Sequence, residues 1–296
     1  MIIGSLVALV TPFRNGEIDE DALRSMVRWQ IDQGTQGLVP AGTTGESATL
    51  SAAEHKRVVE IVVSETAGAI PVVAGAGSNN PVEAIEFSQH AAVSGATATL
   101  HVAGYYNRPN QEGLYKHFEA VHDATDLPII VYNIPPRAVV DIEPDTMARI
   151  AALPRIVGVK DATGDLNRPL LERMRIGREF SYLSGEDGTA VAYNAAGGNG
   201  CISVTANIAP ALCASMQVAC AEGDYKLAMS IQQQLMPLHV ALFSEPSPAG
   251  AKYAASLLGL CSPECRLPIT ELTPGTKRAI DEAMFQLDLI QLLKRA

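Results

Sequence analysis

Ile156-Val157-Gly158-Val159-Lys160-Asp161-Ala162-Thr163-Gly164 is the stretch from which the rest of this 296-residue chain can be ordered. An apolar run with Ile and Val facing both ways reads as a strand of a parallel sheet covered on both faces. It carries a lysine where the run ends. A charged ammonium in such a place must be paired, be exposed to a cavity, or lose its proton, because burying an isolated charge is very costly. A desolvated lysine is a nucleophile towards carbonyls through Schiff-base formation. The ordinary reading, a strand-end lysine that is solvated or paired with the adjacent Asp161, wins on this stretch alone. The neighbouring segments change that balance.

On both sides the chain alternates strand and amphipathic helix. Before the lysine come apolar strands at Gly4 to Phe13, Gly37 to Gly42, Pro71 to Gly77, Ala96 to Ala103 and Pro128 to Asn133; after it come Ser181 to Glu186 and Gly200 to Thr205. Helix starts are legible between them. Asp19 caps a helix whose Leu23, Met26, Val27 and Ile31 share a face and which Gly34 ends; Ser51 with Glu54 forms a capping box; Asn80 precedes Pro81 at a first helical position. Eight such strands joined by right-handed crossovers close into a (β/α)8 TIM barrel. Residues 1–208 are read as the barrel and 209–296 as a C-terminal helical extension packed on it, with helices at Pro210 to Glu222, Asp224 to Phe243, Ala249 to Leu258 and from Thr276 onward. A doubly wound nucleotide fold is disfavoured: Gly75-Ala76-Gly77 follows a strand, but Asn80 stands at the third glycine position.

Composition narrows the function. A net charge of −10 argues against a nucleic-acid partner, and 47% hydrophobic residues supply ample core. The apolar opening, Ile2 to Val10, lacks a basic leader and meets Pro12, so it is expected to be a strand rather than a signal peptide or membrane span. The five cysteines make no CxxC pair, which points to reduced core residues and a cytoplasmic protein. Six dispersed histidines give no metal site, and none is expected.

In a barrel the chemistry lies at the carboxyl ends of the strands. Those positions hold Thr43 and Thr44, Tyr105 and Tyr106, Tyr132 with Arg137, Lys160, Gly185-Glu186-Asp187, and Ile202 to Asn207. A lysine amine can condense with a ketone, and the iminium then serves as electron sink for a carbanion next to it. Tyr132 and a threonine hydroxyl suit the proton relay, the Thr43-Thr44-Gly45 turn suits a carboxylate, and Arg137 offers a fork for a second one. Glu46 and Asp187 have the chemistry of an acid pair, but the favoured reading is structural, bonding turns or neighbouring backbone.

The motifs Gly42-Thr43-Thr44-Gly45-Glu46-Ser47, Tyr105-Tyr106-Asn107-Arg108-Pro109, Tyr132-Asn133-Ile134-Pro135-Pro136-Arg137, Gly158 to Gly164 and Gly200 to Asn207 follow one another at barrel spacing. Together they resemble the dihydrodipicolinate synthase family of pyruvate-dependent Schiff-base lyases. The resemblance implies condensation of pyruvate with aspartate semialdehyde in lysine and diaminopimelate biosynthesis, with no cofactor beyond the covalent pyruvate–lysine intermediate. Lys160 would form the Schiff base, and Tyr132 would relay protons through Thr43 to a Tyr106 supplied by the adjoining subunit. Thr44 would hold the pyruvate carboxylate, Arg137 the semialdehyde carboxylate, and Gly185 and Ile202 would line the pocket. A homotetramer built as a dimer of dimers is implied, with no membrane or nucleic-acid partner. A feedback site for L-lysine would fall on Ser47, Ala48, His55, Asn79, Glu83 and Tyr105, with Ala52 where inhibited members often have histidine.

The alternative within the superfamily is another pyruvate aldolase, such as N-acetylneuraminate lyase or a keto-sugar-acid aldolase. Arg137 separates them, because a dicarboxylic product needs a second anion clamp. One departure from the family pattern is Ala103-Gly104, where Thr-Pro is common.

Overall fold

The computed structural model describes residues 1–102 and 104–291. Eight short strands run parallel: β1 (Gly4–Ala8), β2 (Gly37–Val39), β3 (Val73–Gly75), β4 (Ala98–Val102), β5 (Ile129–Asn133), β6 (Ile156–Asp161), β7 (Ser181–Ser184) and β8 (Gly200–Ser203). Each pairs with the next in the chain, and β1 pairs with both β2 and β8, setting Leu6 opposite Ile202. The ring closes between β2 and β3 through the Leu38–Val72 bridge and the Gly75 N–H donated to Pro40 O at 2.9 Å. The (β/α)8 barrel expected from the alternation is the observed fold. The strands are shorter than the apolar runs. The first ends at Ala8, after which the chain bends into a two-stranded hairpin, Phe13–Arg14 against Glu17–Ile18.

Between the strands lie α1 (Glu20–Asp32), α2 (Ala52–Thr66), α3 (Pro81–Ser94), α4 (Gln111–Ala124), α5 (Pro144–Ala151), α6 (Arg168–Arg173), α7 (Ala190–Ala195) and α8 (Pro210–Ala221). Beyond them are α9 (Tyr225–Leu242), α10 (Ala249–Leu257) and α11 (Pro274–Gln286). The expected caps form: Asp19 accepts from Ala22 N, and Ser51 and Glu54 complete both halves of their box. On α1 the inward face is Leu23, Met26, Val27 and Gln30, whereas Ile31 is only half-buried. Gln30 earns its place by donating its amide to Ala206 O at 2.8 Å.

Side-chain alternation along the strands builds two layers. On β5, Ile130 and Tyr132 belong to the core that includes the barrel interior, while Ile129 and Val131 pack outward with Phe118 and Met147 of the helices. Burying each such Leu, Ile or Phe side chain stabilises the fold by about 1.5–3 kcal/mol. Ala103 and residues 292–296 lie outside the described residues. Gly104 has φ +96, and a Cβ there would lie 2.3 Å from Val140 Cγ2, so both backbone and space require glycine at the second position of the departing pair.

Candidate active site

Parallel pairing of β5 with β6 sets Tyr132 opposite Lys160, and the even period of a strand turns both side chains to the barrel interior. Lys160 is 6% exposed and its Nζ lies 4.2 Å from the centre of the Tyr132 ring. The ordinary pairing with Asp161 does not form. Successive residues face opposite ways, so Asp161 points outward and accepts from the Thr163 N–H at 2.8 Å. Lys160 makes no ion pair among the described residues. Its Nζ faces the Tyr132 ring and the wall of a cavity.

That cavity, about 30 Å³, is lined by Lys160, Tyr132, Thr43 and Thr44 together with the floor residues Ala8 and Val39. It opens past Thr43 and Ser47 into a cleft of about 530 Å³, whose wall includes Tyr105, Ile134 and Arg137. The turn after β2 that presents the two threonines is tightly made. Ala41 and Glu46 hold left-handed backbones at φ 52 and φ 56, and the Thr11 hydroxyl donates to Gly45 O at 2.7 Å. A Cβ on Gly45 would lie 3.0 Å from Leu9 O and 3.1 Å from Ala41 N, so glycine is what lets the turn sit against the first strand. Arg137 stands at the end of a single helical turn, Pro135–Ala138, where two prolines set the backbone after β5.

The remaining expected residues divide. Tyr106 is 90% exposed at φ 26 and does not line the cleft of its own chain. Gly185 donates its N–H to Asp161 O at 2.6 Å, and Ile202 is packed in the core on β8; neither lines the Lys160 cavity. Of the six positions expected for lysine, Ser47, Ala48, His55, Glu83 and Tyr105 line the large cleft. Asn79 sits behind them, its N–H donating to the Tyr105 hydroxyl at 2.8 Å. Burial, with only partial relief from the Gly75 backbone, brings His55 down to about 4, so its ring is neutral at pH 7 and stacks on Phe87 at 3.9 Å.

Glu46 and Asp187 have the structural roles read for them. Asp187 accepts from the Ser203 hydroxyl and from the Val204 and Thr205 N–H groups, while Glu46 pairs with a buried lysine. All five cysteines are free thiols, and burial pushes Cys261 up to about 11 and Cys265 to about 12. No three His, Cys, Asp or Glu side chains among the described residues gather to hold a metal, and no described helix is long and apolar enough to cross a membrane.

The chain matches the Dihydrodipicolinate synthetase family over residues 1–287. It belongs to that family. The 4-hydroxy-tetrahydrodipicolinate synthase of Ruegeria pomeroyi is 59% identical over 290 residues, 98% of this chain and all of that one. Among solved structures, the chloride-inhibited dihydrodipicolinate synthase from Acinetobacter baumannii complexed with pyruvate is 40% identical, with TM-score 0.95 over 98% of this chain and 100% of that one. The enzyme of Cyanidioschyzon merolae with lysine bound is 35% identical, with TM-score 0.94 over 98% and 99%.

A group that family motifs do not point to lies behind the lysine strand of this family member. Glu172 on α6 is 1% exposed, and one of its carboxylate oxygens has no hydrogen-bond partner among the described residues. Burial first, then the nearby Asp161 and Asp141 carboxylates, push it up to about 8 against the pull of Arg168. Glu172 is therefore largely protonated at pH 7. An acid whose folded value lies above its ordinary value near 4.5 binds its proton more tightly in the fold. Its contribution to stability is whole below pH 4.5 and drains away as pH climbs to about 8. Glu172→Gln keeps the neutral shape and removes the titration, so the melting temperature of the variant relative to the parent is expected to rise between pH 5 and pH 8.5. A difference that stays flat across that range, measured by thermal melts in matched buffers, refutes the assignment.

Proposed function

We propose that this chain is a 4-hydroxy-tetrahydrodipicolinate synthase, and that the pairing of Lys160 with Tyr132 in a small cavity beside Thr43 and Thr44 is its catalytic centre. The Lys160 amine adds to the ketone of pyruvate and water leaves, giving an iminium. Thr44 and the backbone of its turn hold the carboxylate. Tyr132, with Thr43 as relay, takes a proton from the methyl carbon, and the iminium stores the electron pair as an enamine. The enamine carbon attacks the aldehyde carbon of aspartate semialdehyde, forming the new C–C bond, while the aldehyde oxygen takes a proton. The amine of that substrate then displaces Lys160 from the iminium and closes the ring. No external cofactor is needed for any of these steps.

Arg137 at the cleft wall supports the choice of second substrate, since its guanidinium matches a carboxylate bidentately and a sugar polyol would not use it. The curated relative named for this reaction supports the same choice. Tyr106, held out from its own site, completes the relay of an adjoining subunit, and the assembly is a cytoplasmic dimer of dimers. The backbone around Gly185, whose N–H is bonded to Asp161 O beside the lysine strand, and around Ile202 on β8 is read as lining the pyruvate pocket.

Incubation with pyruvate and borohydride, followed by mass measurement, tests the lysine chemistry. The protein should gain one reduced pyruvyl group. Adding aspartate semialdehyde or N-acetylmannosamine as second substrate then separates the synthase from the sugar-acid lyases. Turnover with the amino sugar alone would overturn the assignment.

L-Lysine is proposed to bind in the large cleft against Glu83, whose carboxylate already accepts the Ser78 hydroxyl at 2.6 Å. The lysine-bound enzyme of Cyanidioschyzon merolae supports a site of this kind. Activity is expected to fall with added lysine, and Glu83→Gln should raise the half-inhibitory concentration at least tenfold while leaving pyruvate trapping intact. A parent enzyme indifferent to lysine at millimolar concentrations sinks this part of the proposal.

A further inference from the structure

The sequence Ala249-Gly250-Ala251-Lys252-Tyr253-Ala254 puts one charge in a run of small residues on α10, and the fold buries it completely. Lys252 is 0% exposed. Its Nζ donates to Glu46 Oε1 at 2.6 Å and lies 4.0 Å from the centre of the Phe13 ring. The other oxygen of Glu46 accepts the Arg266 backbone N–H at 2.9 Å, and the Arg266 guanidinium lies 4.3 Å from the centre of the same Phe13 ring. Arg266 also reaches Thr49 O at 3.0 Å and the Glu54 carboxylate, which it holds down to about 2. A carboxylate 5% exposed is thus satisfied at both oxygens from a segment 206 to 220 residues further along the chain.

Glu46 is also the residue that ends the threonine turn. Its N–H donates to Thr43 O at 3.1 Å, its carbonyl accepts from Thr49 N, and the Ser47 N–H donates to Gly42 O at 3.2 Å. Its left-handed backbone, φ 56 and ψ 34, is a conformation that a residue with a Cβ keeps only when its surroundings hold it there. Besides these backbone bonds, the Thr11 hydroxyl holds Gly45 O at 2.7 Å and the Thr49 hydroxyl holds Glu46 O at 3.1 Å. The Glu46 carboxylate adds to them a charged anchor into α10, outside the barrel. A buried ion pair is also a weak source of stability compared with an apolar pair of the same shape, so its presence asks for a reason beyond folding.

We propose that the Lys252–Glu46 pair is a positioning device for the known-type chemistry of this site: it fixes the turn so that Thr43 and Thr44 meet the pyruvate bound at Lys160. The inference rests on the reading given under Proposed function. The two residues touch neither substrate nor reacting atoms. They act through the turn, and they make α10, outside the ring of eight strands and their helices, a part of the working site. Removing one partner leaves a buried charge alone; removing both charges together does not.

The test uses Lys252→Met, Glu46→Gln and the double variant in the full-length protein, each studied well below its own melting temperature. Two readouts are taken. Hydrogen exchange follows the Glu46 and Ser47 amides against those of β6. Borohydride trapping follows the pyruvate concentration that half-saturates Lys160. The double variant, with no orphaned charge, should melt closer to the parent than either single variant does. Its turn amides should still exchange at least tenfold faster than the parent's, with β6 unchanged, and half-saturation should still need at least tenfold more pyruvate. Parent-like exchange and parent-like half-saturation in the double variant would show the pair to be structural only and overturn the proposal. Should the single variants fail to fold, the double variant carries the test alone. A parent that traps no pyruvate refutes the lysine chemistry, yet faster turn exchange in the double variant would still establish the anchoring, so the two failures are told apart.

Discussion

Lys160→Ala is expected to yield a folded protein that gains no mass with pyruvate and borohydride and whose synthase rate falls by about four orders of magnitude or more. The size follows from what the amine does. Without it there is no covalent electron sink, and the methyl carbon of pyruvate must lose a proton with only hydrogen bonds to stabilise the carbanion. The fold should survive, because Lys160 makes no ion pair among the described residues and its removal orphans no carboxylate. The β5–β6 ladder runs through backbone groups that alanine keeps. Thermal melting and far-ultraviolet circular dichroism on the same preparation check this. A variant that still acquires the adduct would move the nucleophile to another lysine. Lys252 is then the alternative to test, although its partner Glu46 and its burial oppose that role.

The barrel was legible because its signal repeats. Apolar runs ending in a turn residue recur along the chain, the earlier ones followed by capped amphipathic helices, and all vote for the same architecture; an error of a few residues at Ala8 or Asp161 changes no pairing. The elements that gave no signal are α6 and α7. At six residues each they are too short to show a helical period. Lys160, Tyr132, Thr43 and Thr44 could be placed because strand ends of a barrel converge whatever the helices do. The Asp161 alternative fails on the same physics, since the residue next to an inward side chain points outward. Two other things could not be read from local pattern. The anchor of Glu46 lies some 206 positions away, and nothing near Glu46 announces it; the only trace is a lone charge among the small residues around Lys252. Glu172 owes its protonation to burial behind β6, which depends on how α6 docks rather than on any motif.

Tyr132→Phe should lower kcat and kcat/KM together by about 10²–10⁴, the range typical of a lost general acid–base group. This substitution separates the two things that the tyrosine supplies. Its ring lies 4.2 Å from Lys160 Nζ, and phenylalanine keeps a ring there, so the lysine retains its aromatic neighbour. Its hydroxyl is the part that moves protons, and only that is removed. Pyruvate should therefore still be trapped by borohydride at saturation, but the adduct should form more slowly, because carbinolamine dehydration also needs a proton delivered and taken. The melting temperature should move by only a few degrees, since the side chain remains in the same apolar wall with Ile130 and Leu183. Thr43→Val, isosteric and unable to relay, should give a loss of the same kind. If the two hydroxyls pass one proton along one chain, the double variant will be little worse than Tyr132→Phe alone, whereas independent roles would multiply the losses. A Tyr132→Phe enzyme at parental rate would leave the lysine in place as nucleophile and remove the phenol from the mechanism.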